Sequence, residues 1–139
     1  MSSSHLNLRV LVDFDGTMVP GDVTDHIYAS FCDPKWLDLE AEWQSGRMTS
    51  RECMSRQVDM IRAKPEDIAR AVNERAIDPD FPAFVKKAQA SGIDIIVVSD
   101  GFDIAIETVL KRNGLDLPYY ANRLEWLGRD RWRLGFPNM

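Results

Sequence analysis

Two aspartates, Asp13 and Asp15, stand two residues apart at the end of the apolar run Leu8–Phe14. In an extended chain residues i and i+2 project to the same side, so the sequence places two carboxylates in one small space. Such a pair repels itself unless a proton or a cation intervenes, and hard oxygen ligands on a short turn suit Mg²⁺. We therefore expect Asp13 and Asp15 to bind Mg²⁺, with one carboxylate able to attack phosphorus and the other to handle protons.

A second polar turn, Ser99-Asp100-Gly101, follows another apolar run, and Gly16 and Thr17 follow the two aspartates. Ligands of parallel sheets bind outside the carboxyl ends of the strands, and backbone N–H groups near the start of a helix bind phosphate well. These five residues are therefore candidate phosphate ligands. Taken alone, the Asp-x-Asp spacing is equally compatible with an ordinary polar turn that leaves a strand.

The elements that carry these turns predict an α/β fold. The runs Leu8–Phe14 and Ile93–Ser99 are typical of strands covered by helices on both faces, and hence of a parallel sheet. About eighty residues of helical character separate them, far more than a single crossover helix needs. We expect a disordered segment at 1–7, a core formed by 8–21 and 77–139, and an inserted helical cap at 22–76.

Local signals predict where several elements begin and end. Asp33-Pro34, the capping box Thr49-x-x-Glu52, and Pro65 each open a helix of the cap. Further helices are expected over 23–31, 80–90 and 102–112, a short strand over 118–122, and a hairpin of 124–126 with 131–134 around Gly128-Arg129-Asp130.

Composition excludes several classes of function. The 139 residues suit one domain, and their net charge of −5 disfavours binding to nucleic acid. No apolar run reaches the roughly 20 residues of a membrane helix, and no basic segment precedes an apolar one at the start. The two cysteines, Cys32 and Cys53, show no metal-ligand spacing. We expect a cytoplasmic protein that binds neither nucleic acid nor membrane.

Two motifs carry a resemblance to a known family. The segment Leu11–Thr17 looks like the first motif of the haloacid dehalogenase (HAD) superfamily, and Val97–Phe102 resembles its second. The order of the motifs and the helical insert between them also agree, which implies a HAD-like Rossmannoid sheet with a cap between the first two strands. Within the superfamily, Ser99–Ile104 and Tyr120–Leu124 look most like the phosphoserine phosphatase branch, and Met48–Met54 resembles the methionine-salvage phosphatases.

The resemblance implies a role for each matching residue. Asp13 would attack phosphorus and become an aspartyl phosphate, while Asp15 would act as general acid and base. Mg²⁺ would be held by the Asp13 carboxylate and the Asp15 backbone carbonyl. Ser99 and the N–H of Gly101 would hold the phosphoryl oxygens of a small phosphorylated metabolite.

Two cap residues are further candidates. Asp22 matches a position at which phosphoserine phosphatases commonly carry a glutamate that contacts substrate, although it is equally suited to be the N-cap of the helix that follows. Arg56 could reach an anionic group of the substrate, but a solvated helix arginine is the commoner case.

Part of the family pattern is not evident. The superfamily uses a lysine and an acidic pair after the second motif, whereas here the only later lysine is Lys111, within a helix, and Asp130 follows no apolar strand. We therefore expect the N-terminal part of a longer phosphatase, with an incomplete sheet, weak or no activity alone, and self-association through an exposed sheet edge.

Two other classes of protein are also compatible with the sequence. A receiver domain also clusters aspartates at strand ends, but single helices separate its strands. A noncatalytic binding domain derived from a HAD phosphatase would have lost motifs in just this way, and phosphate release distinguishes it from an enzyme.

Overall fold

The computed structural model of the chain describes residues 8–138, so the segment predicted to be disordered, 1–7, lies outside the described residues. The elements follow one another in the order β1 (Arg9–Asp13), α1 (Val23–Phe31), α2 (Trp36–Gln44), α3 (Ser50–Asp59), α4 (Pro65–Asn73), α5 (Phe81–Ala90), β2 (Asp94–Phe102), α6 (Asp103–Arg112), β3 (Tyr119–Trp126) and β4 (Trp132–Gly135). The predicted α/β class and the helical insert between the first two strands are confirmed.

The four strands form one sheet in the order β1-β2-β3-β4. β1, β2 and β3 are parallel, whereas β4 returns antiparallel to β3 and completes the predicted hairpin. Asp13 is paired with Val98 in the register, so the carboxyl ends of β1 and β2 lie side by side. The first polar turn leaves the sheet after Asp13. Ser99, Asp100 and Gly101, predicted to form a turn after the strand, instead lie within β2, where its pairing with β3 shifts between Val98 and Phe102. Both motifs therefore lie at the same edge of the sheet, and we call the irregular segment 99–101 the second turn.

The sheet is covered on one face only within residues 8–138. Val12 and Val97 are buried on the face against which α5 and α6 pack. On the opposite face Leu11 is 68% exposed, Tyr120 54% and Val98 39%. The prediction that both faces of β1 are buried is wrong, because no described element packs over this second face.

Part of the helical insert contacts the hairpin. Ala63 donates its N–H to the Asp130 carbonyl at 3.1 Å, and the Trp132 indole N–H donates to the Ala63 carbonyl at 2.8 Å. The Arg51 guanidinium lies 4.5 Å above the ring of Phe136. These contacts connect the segment before α4, and α3 itself, to the region around β4. The boundaries predicted for the cap and the core stay predictions.

The capping residues and prolines in the sequence predicted most helix starts correctly. Thr49 is the N-cap of α3 and accepts the Glu52 N–H at 3.1 Å, and Pro65 occupies the first turn of α4. The helix expected at Asp33-Pro34 begins at Trp36 instead, because the Asp33 carboxylate accepts the Lys35 N–H and closes a turn first.

The short strand over 118–122 and the first strand of the hairpin are a single strand, β3. No helix within residues 8–138 combines the length and apolar character required to span a bilayer.

Candidate active site

The turn after β1 brings the start of α1 beside Asp15. The Gly16 N–H donates to the carbonyls of Val19, at 2.8 Å, and Gly21, at 2.9 Å, which folds the chain back on itself. Gly16 has a φ of +78°, a conformation that glycine adopts without steric cost. As a result, the N–H of Val23, the first residue of α1, donates to Asp15 Oδ1 at 2.8 Å.

Asp15 is in an environment that favours its protonated form. Burial is the largest cause, and together with the charges of Asp22, Asp100 and Asp13 it raises the pKa of Asp15 to about 6. The hydrogen bond from Val23 acts in the opposite direction and limits this rise. The carboxyl group of Asp15 can therefore hold a proton close to neutral pH, as a general acid must.

Asp13 lies at the end of β1 and is exposed. Its charge raises the pKa of Asp15 less than those of Asp22 and Asp100 do. Since the regular strand ends at Asp13, the extended geometry from which we expected both carboxylates to share one space does not continue to Asp15. The two groups differ in environment, one open to solvent and the other partly buried against α1.

The second turn touches the first. A Cβ added to Gly101 would lie 2.7 Å from Thr24 Oγ1, 3.2 Å from Ser99 Oγ and 3.4 Å from Asp15 Oδ2, so the Gly101 backbone passes directly beside the Asp15 carboxylate. The Gly101 N–H donates to Ser99 Oγ at 2.9 Å. The structure thus brings Asp15, Ser99 and Gly101 together, as the two motifs predict.

Other predicted phosphate ligands lie in the same region but use their polar groups locally. The Gly16 N–H belongs to the turn described above, and the Thr17 N–H points to the Phe14 carbonyl at 3.4 Å. The Asp100 carbonyl accepts the side-chain amide of Asn122 at 2.7 Å, which ties β2 to β3 at this edge. Phosphate binding by Gly16, Thr17 and Asp100 stays a prediction.

A cavity of about 190 Å³ opens beside Asp15, between the carboxyl ends of β1 and β2 and the helices α1, α2 and α3. Its lining contains five carboxylates and, among the described residues, no lysine, arginine or histidine. The lining residues are Asp15, Asp22, Thr24, Asp25, Tyr28, Glu40, Trp43, Ser50, Cys53, Met54, Gln57 and Asp100.

The two candidate cap residues are placed differently. Asp22 lines the cavity and is also the N-cap of α1, since it accepts the Asp25 N–H at 2.9 Å. Arg56 lies outside the cavity lining, on the exposed side of α3, where it pairs with Glu52 at 2.8 Å. A role for Arg56 in substrate binding stays a prediction.

Sequence reasoning did not single out most of the residues that line this cavity. Among them, Thr24 Oγ1 lies beside Gly101, and Tyr28, Glu40 and Gln57 lie farther into the cavity lining. The Gln57 side-chain amide donates to Glu40 Oε1 at 2.8 Å, although the two residues are 17 positions apart on different helices. No spacing or motif could have found this pair, because it depends on how α2 and α3 pack.

Comparisons with known proteins agree with the geometry. The profile of haloacid dehalogenase-like hydrolases matches residues 10–128. A 2-hydroxy-3-keto-5-methylthiopentenyl-1-phosphate phosphatase of Brevibacillus brevis is 28% identical over 94% of this chain and 60% of its own length. A phosphoserine phosphatase of Methanocaldococcus jannaschii is 26% identical over 83% of this chain and 55% of its own.

A solved structure is also similar. A phospho-aspartyl intermediate analogue of phosphoserine phosphatase superposes with a TM-score of 0.69 and 25% identity, over 90% of this chain and 60% of that one. The chain therefore spans between 55% and 60% of the length of these relatives.

Proposed function

Because the chain belongs to the haloacid dehalogenase-like hydrolases, we propose that the whole protein hydrolyses small phosphate monoesters through an aspartyl-phosphate intermediate. The observation that supports this most is the contact between the two turns, in which the Gly101 backbone passes beside the Asp15 carboxylate. The relatives are named as a phosphoserine phosphatase and a 2-hydroxy-3-keto-5-methylthiopentenyl-1-phosphate phosphatase, which agrees with a small phosphorylated metabolite as substrate. The predicted cytoplasmic location stays a prediction.

In the first step Asp13, the exposed carboxylate at the end of β1, attacks phosphorus. A bond forms between a carboxylate oxygen and phosphorus as the bond to the leaving oxygen breaks, and Asp15 gives its proton to that oxygen. In the second step Asp15 takes a proton from water, which attacks phosphorus, releases inorganic phosphate and regenerates Asp13. The raised pKa of Asp15, about 6, suits both directions of proton transfer.

Ser99 and Gly101 are the proposed phosphate ligands. The Gly101 N–H now donates to Ser99 Oγ, so phosphate binding replaces this bond with bonds from both groups to phosphoryl oxygens. Because the two residues are only two positions apart in the irregular part of β2, both groups can contact the same phosphate.

Mg²⁺ is the proposed cofactor, and the residues present supply part of its ligand set. Hard oxygen donors, the Asp13 carboxylate and the Asp15 backbone carbonyl, belong to residues two positions apart at the end of β1 and suit this ion. The negative charges of Asp13, Asp22 and Asp100 around Asp15 also favour a cation. Among residues 8–138 no three His, Cys, Asp or Glu are grouped as a metal site. When bound, Mg²⁺ would offset the negative charge of the phosphate as the nucleophile approaches.

Phosphate release from a panel of small phosphate monoesters tests the proposal. We expect Asp13→Asn to abolish release by the whole protein, and excess chelator to do the same. The matched control is Asp94→Asn, an exposed aspartate at the opposite end of the sheet, which should retain activity. Full turnover by Asp13→Asn would refute the mechanism, and tight substrate binding without turnover in the unmodified protein would favour the noncatalytic alternative.

A further inference from the structure

The part of the cavity that lies towards α2 and α3 carries uncompensated negative charge. Asp25 and Glu40 both line it, and burial together with the charges of Asp22 and Glu40 raises the pKa of Asp25 to about 6. Among the described residues, no cationic side chain lines the cavity. Carboxylates alone do not define a ligand site, but two buried polar groups line the cavity beside them.

Gln57 and Tyr28 each present an unpartnered polar atom there. Both side chains line the cavity and are only 1% exposed. The Gln57 amide nitrogen donates to the Trp36 carbonyl, at 3.1 Å, and to Glu40 Oε1, which fixes the orientation of the amide and leaves Oε1 as an acceptor. Within residues 8–138 neither Gln57 Oε1 nor the Tyr28 hydroxyl has a hydrogen-bond partner.

A buried acceptor without a donor is costly, so this end of the cavity is suited to a ligand that brings N–H groups. A primary ammonium group brings three, together with the positive charge that Asp25 and Glu40 favour. A quaternary ammonium has the charge but no hydrogen to donate to Gln57 Oε1. A carboxylate would be repelled, because no cation among the described lining residues could pair with it.

We propose that this end of the cavity binds a primary ammonium group on the alcohol part of the substrate, so that the preferred substrates are phosphorylated amino alcohols without a carboxylate. The inference rests on the proposed function, which places the phosphate at Asp13 and the leaving group in the cavity. It goes further in naming the leaving group from the charges and hydrogen-bonding groups of Glu40, Gln57 and Tyr28.

Binding of the free alcohols to the purified 139-residue chain tests this inference without turnover. Titrations followed by NMR would use ethanolamine, choline, serine and ethylene glycol as four separate probes. We expect ethanolamine to perturb the Gln57 side-chain amide and to bind about tenfold more tightly than the other three, the effect of one charge-assisted hydrogen bond. Equal binding of serine, choline or ethylene glycol, or no binding of ethanolamine, would overturn the inference.

Variants on one helix provide the matched pair. Glu40→Gln removes a charge from the cavity and should weaken ethanolamine binding about tenfold, whereas Glu42→Gln, which faces Arg47 outside the cavity, should leave it unchanged. Equal affinities of the two variants would contradict the assignment.

Asp13→Asn should also bind ethanolamine with unchanged affinity. Ethanolamine binding by the chain without hydrolysis of phosphoethanolamine by the whole protein would defeat only the proposed function. Hydrolysis by the whole protein without preference for the amine would defeat only this inference.

Discussion

The N–H of Val23 donates to the Asp15 carboxylate at 2.8 Å and joins the turn after β1 to the first residue of α1. Although this bond stabilises the ionised carboxylate, burial dominates and the pKa of Asp15 stays raised. One residue thereby links the sheet, the first helix and the proposed proton transfer. Its titration consequently affects both stability and activity.

The first prediction concerns stability against pH. Because the pKa of Asp15 rises from 3.8 to about 6 on folding, the folded chain binds this proton more tightly than the unfolded chain. The stabilisation is fully present below the unfolded pKa and is lost as the pH rises through about 6. Urea unfolding without Mg²⁺ should therefore show that the free energy of unfolding of the unmodified chain falls between pH 4 and pH 7. For Asp15→Asn this fall should be smaller.

Asp25 has a pKa raised to about 6 by burial and by Asp22 and Glu40, so it contributes to the same pH window. Asp25→Asn should therefore reduce part of the pH dependence of the free energy of unfolding. The double variant, which carries both Asp15→Asn and Asp25→Asn, should reduce it further. Identical slopes for the unmodified chain and all three variants would contradict the assignment of these raised pKa values.

The second prediction tests the contact between the two turns. In Gly101→Ala the new Cβ would lie 2.7 Å from Thr24 Oγ1 and 3.4 Å from Asp15 Oδ2. One group must move, and such overpacking costs about 1–3 kcal/mol of the free energy of unfolding. Urea unfolding should detect this loss. In the whole protein the same variant should also lower phosphate release, because Asp15 and Ser99 lie beside the added methyl group.

Gly135→Ala is the matched control, since its Cβ would meet Arg123 Cβ at an ordinary 3.6 Å. Adding Thr24→Ala to Gly101→Ala removes the closest contact and should restore part of the stability. Equal stabilities of Gly101→Ala and Gly135→Ala would show that the turns are less closely packed than described.

The parts of this molecule that were predictable from sequence depend on short-range signals. The polar segments 13–17 and 99–101 could be located from apolar runs that end in polar and glycine residues, although 99–101 belongs to β2 rather than to a turn after it. The start of α3 followed from Thr49. Two parallel strands necessarily end at the same edge of a sheet, so the meeting of the turns could be predicted as well.

The parts that were not predictable depend on packing between distant segments. Thr24 reaches Gly101 only because the turn at Gly16 folds α1 back towards Asp15. The pairing of Glu40 with Gln57 depends on the packing of α2 against α3. Residue type alone suggested that Leu11 is buried, but its exposure depends on which elements cover the sheet.

The third prediction concerns the hydrogen bond between the hairpin and Ala63, which lies just before α4. Trp132→Phe removes the indole donor from the buried Ala63 carbonyl and should cost about 1–3 kcal/mol, the penalty for an unpaired buried polar group. Trp126→Phe is the control on the neighbouring strand. Its indole N–H also donates to a carbonyl, that of Arg129, but the side chain is 53% exposed, so water can replace the bond. Equal losses in urea unfolding would contradict a special role for Trp132.

The last prediction is that the 139-residue chain self-associates through β1. Among residues 8–138 only β2 pairs with β1, so the other edge of β1 presents unpaired backbone groups. Beside that edge Leu11 is 68% exposed and Leu8 55% exposed. An edge of this kind favours pairing with another chain, and a lysine on it opposes such pairing.

Sedimentation velocity over a concentration series should therefore show dimers or larger species, and Leu11→Lys should reduce their proportion. Leu127→Lys is the control, because Leu127 is 53% exposed but lies after β3 at the hairpin turn. A chain that stays monomeric throughout the series, or equal effects of the two lysines, would rule out association through β1.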